Sequence, residues 1–202
     1  MHNRKQQSHL TVGLLRAFPP VNCTTIFAEV IRMARQGQKR RRITTIAPSV
    51  EGRDCAIFFD GACEPRNPGG VSTYGYILDW GGGFVDEGCG FICEGEGSTN
   101  NVAEWGALEA ALTHLRDRGF CGSIEIYGDS ALVIYQLTRR WACRKPHLEK
   151  SRDRCLALLN VVAEQWRAGW IPREENAAAD KLSKRAYAER LDAKSRLIVR
   201  GL

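Results

Sequence analysis

No run of 18 apolar residues occurs anywhere in the chain, so it holds no candidate for a membrane-spanning helix, and no membrane partner is expected. The N-terminus also lacks the apolar core and small-residue cleavage site of a secretory signal. Acids are nearly missing from the first fifty positions, where nine Lys or Arg stand against Glu29 alone. That shortage, together with the arginines, leaves a transit peptide as an alternative to a cytoplasmic address. Residues 51–202 then hold 20 basic and 22 acidic side chains, so the net charge of +6 belongs to the leader. A basic leader suits a polyanion such as nucleic acid, although a solvated tail would have the same composition.

Paired Cys-x-x-Cys spacing is missing too. The closest of the eight cysteines are Cys89 and Cys93, and His2, His9, His114 and His147 do not fall beside them at zinc-finger spacing. Several cysteines lie in apolar runs, as in Cys55-Ala-Ile-Phe-Phe, where a reduced thiol is simply a small hydrophobe. A reducing, cytoplasmic setting is expected.

What remains is ordinary globular composition, 44% hydrophobic and 26% charged over 202 residues, which fits one domain with an appendage. Residues 1–50 read as a basic leader, partly disordered or with a short helix from Thr24 to about Gln36. Residues 51–190 read as the folded domain and 191–202 as a C-terminal tail. Within the domain, Cys55 to Asp60 has the pattern of a buried strand closed by Gly61. Tyr74 to Trp80 and Phe84 to Ile92 read as a hairpin joined through Gly81-Gly82-Gly83. Thr99-Asn100-Asn101 supplies caps for an amphipathic helix from about Val102 to Arg118, stopped by Gly119. A strand from Ser123 to Tyr127, a helix capped by Ser130, a helix from Leu148 to Val162, a strand from Gln165 to Ile171 and a helix from Ala177 to about Arg190 complete the order. A meander followed by alternating strands and helices predicts an α/β domain built on a mixed sheet.

Four acids occupy matching places in that order. Asp60 and Asp129 follow apolar strand cores, and Glu104 and Asp180 fall in the first turns of helices. Strand ends and helix starts are where rigidly held functional groups gather. Any one of these acids alone is explained as a turn former or by the helix dipole. Together they would repel and raise one another's pKa unless a divalent cation neutralised them. Mg²⁺ prefers oxygen ligands and is commonly held by one or two carboxylates plus substrate phosphate, so four acids can serve two ions.

The residues around these acids resemble the four ordered motifs of the type 1 ribonuclease H family. Asp60-Gly-Ala-Cys-Glu-Pro-Arg-Asn-Pro-Gly-Gly is similar to the first, Thr99-Asn-Asn-Val-Ala-Glu104 to the second, Gly128-Asp129-Ser130 to the third, and Pro172-Arg-Glu-Glu-Asn-Ala-Ala-Ala-Asp180-Lys-Leu to the fourth. The resemblance spans residues 55 to 189. It implies a ribonuclease H-like fold, a central five-stranded mixed sheet with helices on both faces. It also implies an endoribonuclease that hydrolyses the RNA strand of an RNA/DNA hybrid with two Mg²⁺ or Mn²⁺ ions. By the same resemblance Asp60 bridges both ions, Glu104 and Asp129 complete one site, and Asp180 serves mainly the ion nearer the attacking water. One departure stands out. Many members carry a His ten residues before the last Asp, whereas this chain has Trp170 there, as in a branch lacking that His. Its apolar setting predicts a core or strand residue.

Substrate contacts are expected from Asn67, Asn100, Asn101 and Ser130 beside the acids, with helix capping as the other role open to Asn101. A basic stretch is expected to add more. Arg139, Arg140, Arg144, Lys145, Lys150, Arg152 and Arg154 surround Trp141 against only Glu149 and Asp153, and basic residues interleaved with an aromatic suit a nucleic-acid groove. A solvated helix face is the other reading of that stretch. The leader does not resemble the small hybrid-binding domain that precedes some longer members. The chain is expected to act as a monomer. The rival readings are a DEDD-type exonuclease or other two-metal nuclease on a similar fold, and a non-catalytic nucleic-acid binding module.

Overall fold

The apolar run at Cys55 begins a strand, β1 (Cys55–Glu64), that is paired on both sides. A computed structural model describes residues 53–199, with side chains to Arg196; the leader lies outside the described residues. β1 runs antiparallel to β2 (Val71–Asp79), from Ala56↔Asp79 to Glu64↔Val71. It runs parallel to β4 (Gly122–Gly128), but only from Cys55↔Ile124 to Phe58↔Tyr127. β3 (Val85–Glu94) adds antiparallel to β2, and β5 (Ala163–Trp170) adds parallel to β4. The order β3-β2-β1-β4-β5 is a five-stranded mixed sheet.

β1 does not close at Gly61 as the sequence pattern suggested. Pairing with β2 carries it to Glu64, and Gly61 serves a different purpose, described below. Because β4 stops pairing at Phe58, Asp60 lies within the strand on its β2 side and past the last pair on its β4 side.

Among the described residues four α-helices flank the sheet. In α1 (Asn100–Asp117) the cap is Thr99, whose Oγ1 accepts the Val102 N–H at 3.2 Å, so Asn101 lies inside the helix and is not its cap. The stripe Ala103, Ala107, Leu108, Ala111, Leu112 and Leu115 is fully buried, joined by Trp105. It packs on Ile57, Phe59, Leu78, Ile124 and Ile126, each large side chain contributing roughly 1.5–3 kcal/mol of burial. Gly119 ends the helix at φ +66, a conformation without penalty for glycine. The short α2 (Ala131–Leu137) follows β4. Next, α3 (Pro146–Val162) starts two residues before the expected Leu148, because Pro at the first helical position lacks only an N–H that has no partner there. Its Leu148, Cys155, Leu159 and Val162 complete the core against α1.

The last helix, α4 (Ala177–Val199), covers the other face of the sheet across β2, β1 and β3. It continues past the expected end at Arg190 through residues 191–199, a stretch expected as a tail. No Gly or Pro interrupts it, and its second half is tied to β3. Arg190 lies 4.3 Å over the Phe91 ring, and both Arg190 and Lys194 pair with Glu94. The seven described cysteines are unpaired, and Cys55, Cys63 and Cys155 are buried. Among the described residues no helix is long and apolar enough to cross a membrane.

Candidate metal centre

Two glycines beside Asp60 let helices approach β1 from both faces. A Cβ on Gly61 would lie 2.2 Å from the Ala103 carbonyl carbon and the Glu104 nitrogen. The first turn of α1 therefore rests directly on the strand, and Glu104 comes to Asp60. Across the pair Asp60↔Gly75, a Cβ on Gly75 would lie 2.5 Å from Leu182 Cβ and Ser183 N. That absence of a side chain admits α4. Asp129 arrives from the end of β4. One carboxylate oxygen from each of Asp60, Glu104 and Asp129 then lies within 4.8 Å of the others.

Asp60 and Glu104 are buried and Asp129 is half-buried. Burial, with the charges of Asp60 and Asp129, pushes the Glu104 carboxyl well above its ordinary range, against a hydrogen bond from Gly61 N–H. Burial likewise pushes Asp60 up to about 6, with Asp129 and Asp180 adding to it and the Ser183 hydroxyl opposing it. Glu104 Oε2 is buried with no hydrogen-bond partner. A buried acceptor left without a donor is costly, and a cation held between these carboxylates would satisfy it. The donor set fits a hard divalent ion that takes oxygen ligands.

Asp180 is close enough for its charge to act on Asp60 but stands outside the three-acid group. Arg173 Nη2 lies 2.5 Å from its Oδ1 and Lys184 Nζ 2.6 Å from its Oδ2. Its partial burial works to raise its pKa, yet these two cations outweigh that and hold it below the ordinary value.

Two further residues complete the surroundings. Ser183 donates to Asp60 Oδ2 at 2.5 Å. Asn176, 1% exposed, donates through Nδ2 to the Phe59 carbonyl and to Asp129 Oδ1, each at 2.8 Å. The sequence showed Asn176 only as a member of the fourth motif, with no role at the site, and did not mark Ser183. The step of three from Asp180 to Ser183, which puts both on one side of α4, was the available signal.

A family model described as reverse transcriptase-like matches residues 58–186. Ribonuclease HI of Halobacterium salinarum is 36% identical over 155 residues, covering 77% of this chain and 75% of that protein. The chain belongs to the type 1 ribonuclease H family. The crystal structure of RNase H1 from that archaeon matches with a TM-score of 0.60 at 38% identity, over 67% of this chain and 98% of its own. An N-terminal ribonuclease H domain from Mycobacterium tuberculosis gives 0.62 at 28% identity, over 70% and 99%. LC11-RNase H1, solved in complex with an RNA/DNA hybrid, gives 0.61 at 28% identity, over 68% and 99%.

As a ribonuclease H the chain is an enzyme, and the other residues expected at its substrate site sort into groups. Asn67 is exposed and its Oδ1 accepts the Asn100 N–H at 3.1 Å, linking the turn after β1 to the start of α1. Ser130 occupies the N-cap position of α2, but its side chain makes no capping hydrogen bond. Trp170 ends β5, 45% exposed and outside the core, with Nε1 donating to the Asp129 carbonyl at 3.0 Å. In the basic stretch, Trp141 is half-exposed and packs edge-on against Tyr135 at 4.9 Å, with Arg140 over the same ring at 5.8 Å. Arg139, Arg144 and Lys145 are exposed and form no ion pair among the described residues. Arg152 and Arg154 differ, since Glu149, Asp153 and Glu109 neutralise them.

Proposed function

We propose that this ribonuclease H is an endonuclease that hydrolyses the RNA strand of RNA/DNA hybrids, with two divalent cations, Mg²⁺ or Mn²⁺, held by Asp60, Glu104, Asp129 and Asp180. The convergence of Asp60, Glu104 and Asp129 within 4.8 Å carries this reading, and a relative of the same fold crystallised with such a hybrid supports the substrate. Bound cations of this kind lower the pKa of an attacking water and stabilise the departing oxygen.

The chain's own residues prepare for that chemistry. Ser183 and Asn176 fix the directions of Asp60 and Asp129 through the hydrogen bonds given above. Gly61 N–H holds the Glu104 carboxylate. Arg173 and Lys184 neutralise Asp180, and they must give way wherever that carboxylate turns to a cation. A hybrid is read through backbone shape and the 2′-hydroxyl more than through base edges. The polar cluster of Asn67 and Asn100, and the exposed cations at 139, 144 and 145, suit that kind of recognition.

The test is cleavage of an end-labelled RNA/DNA hybrid with Mg²⁺ by the full chain and by its Asp129→Asn variant. The chain is expected to cut internally, including within a ribonucleotide stretch enclosed in a closed duplex, and the variant to lose at least a thousandfold in rate. Equal cleavage by both proteins, or none by either with Mg²⁺ and with Mn²⁺, overturns the proposal. Cutting only from free ends would assign an exonuclease instead.

A further inference from the structure

Asp129 stands at a junction with little of its own to hold it. It joins β4 to α2, a helix of seven residues whose N-cap side chain makes no capping bond. The fastening comes from a different part of the chain. Ile171 N–H donates to the Gly128 carbonyl at 3.1 Å, Trp170 Nε1 to the Asp129 carbonyl at 3.0 Å, and Asn176 Nδ2 to the Asp129 carboxylate at 2.8 Å. One segment, residues 170–176, therefore grips Asp129 at its backbone and its side chain together.

Within that grip the indole has a particular place. Trp170 lies opposite Gly128 in the β4–β5 register, which brings its indole nitrogen within reach of the next residue's carbonyl, that of Asp129. Almost half of its surface faces solvent, so burial of the ring does not account for a tryptophan here. The indole nitrogen is a donor only, with no acceptor function and no ionisation near neutral pH. Its one polar capacity is directed to the carbonyl of the residue whose carboxylate joins the three-acid group.

We propose that Trp170 is a positioning residue for Asp129, its indole N–H setting the backbone from which the carboxylate is aimed, while Asn176 sets the carboxylate itself. This rests on the reading of Asp129 as a metal ligand. Where many members of the family carry a His, a side chain that titrates near neutral pH, this chain has a fixed donor that orders a ligand. The consequence falls on cation affinity and leaves hybrid affinity alone.

The experiment compares the full chain with Trp170→Phe, which keeps an aromatic ring and removes the donor, and with Trp170→His, which restores a ring N–H. Mg²⁺ and Mn²⁺ affinity is read without substrate by calorimetry, and the Mg²⁺ concentration for half-maximal cleavage is read separately. Loss of one hydrogen bond of ordinary net strength should weaken cation binding roughly three- to tenfold in the Phe variant. The same factor should appear in the Mg²⁺ requirement, KM for the hybrid should not move, and the His variant should recover part of the loss. Wild-type cation affinity in a folded Phe variant, or a change confined to KM for the hybrid, overturns the proposal. Should the Phe variant fail to fold, the indole ¹⁵N–¹H resonance of Trp170 in the unaltered chain decides. It is expected to shift along the Mg²⁺ titration with the calorimetric Kd, and a resonance that stays in place overturns the proposal. Failure of the unaltered chain to bind either cation would instead sink the reading of the acids on which this rests.

Discussion

The hydroxyl of Ser183 lies 2.5 Å from Asp60 Oδ2, joining α4 to β1 across 123 positions of sequence. The same helix turn is held from the sheet, where Thr73 Oγ1 donates to the Ser183 carbonyl at 2.9 Å. Ser183 is completely buried, so its hydroxyl has no water to turn to.

That hydrogen bond opposes the upward push on Asp60, whose pKa stands at about 6 even with it in place. Ser183→Ala removes the opposing influence, so Asp60 holds its proton to higher pH. A cation must displace that proton to bind. Cleavage at limiting Mg²⁺ should therefore fall more at pH 6.5 than at pH 8.5, with the rising limb of the pH–rate profile moved upward. A uniform loss at every pH would show that the hydroxyl only packs.

The raised carboxyl also makes stability depend on pH. Below its ordinary value of 3.8 Asp60 is protonated folded or unfolded, and it contributes nothing. Between 3.8 and about 6 the folded chain keeps a proton that the unfolded chain releases, so stability falls as pH rises. Above 6 the full cost applies, about 3 kcal/mol for a separation of this size, and Glu104 acts in the same direction. Glu125 acts oppositely. Burial works to raise its pKa, but Arg53, Arg167 and Tyr127 outweigh that and lower it, so its contribution is present above its ordinary value of 4.5 and lost below it. From pH 5 to 8 the Glu125 contribution is already in place, and the histidines are common to the wild type and to Asp60→Asn, so the difference between those two proteins reports the acid cluster. Without divalent ions, Tm should fall across that window, Asp60→Asn should flatten the fall while abolishing cleavage, and Mg²⁺ should raise Tm at pH 8 far more than at pH 5. A metal-free Tm that rises over this range, unaltered by Asp60→Asn, would contradict the assignment.

Asp60, Glu104 and Asp129 were legible in the sequence because each sits at a local landmark, an apolar strand or a capped helix start, that pattern alone reveals. The succession of strands and helices along the chain and two of the four helix starts, those of α2 and α4, were legible for the same reason. What was hidden depends on approach between distant segments. Gly61 has the appearance of a strand terminator, yet it marks a helix lying against a strand, a use of glycine that local pattern cannot separate from a turn. Ser183 and Asn176 are polar residues on a helix until α4 is laid over β1. Asp180 looked equivalent to the other three acids, and only the structure sets Arg173 and Lys184 against it.

Gly61→Ala tests that close approach. The added methyl would meet the backbone of Ala103 and Glu104 at 2.2 Å, and backbone cannot swing aside as a flexible side chain does. α1 must shift and take Glu104 with it. Crowding of this kind costs about 3 kcal/mol or more, and the rise in Tm on adding Mg²⁺ should shrink as well. Gly119→Ala is the comparison, because that site has open space around it and only a positive φ to oppose the change, at ~1 kcal/mol. It should lower Tm slightly and leave the Mg²⁺ response intact. Equal Mg²⁺ responses in the two variants would show that Gly61 does not place Glu104.

The basic stretch divides by what each cation already touches. Arg154 lies 2.7 Å from Glu109, and Arg152 pairs with Glu149 and Asp153, so little of their charge is left for a phosphate. Arg144 and Lys145 are exposed without an ion pair among the described residues, next to half-exposed Trp141. A cation that contacts a phosphate displaces a condensed counterion, so each contact steepens the dependence of binding on salt. Removing both Arg144 and Lys145 by alanine should weaken hybrid binding at low salt and reduce the slope of log K against log salt by about 2. Arg154→Ala should leave that slope nearly unchanged, since Glu109 already balances its charge. Slopes that fall equally in both proteins would mean that the Arg154–Glu109 pair opens on binding and that Arg154 also faces the hybrid.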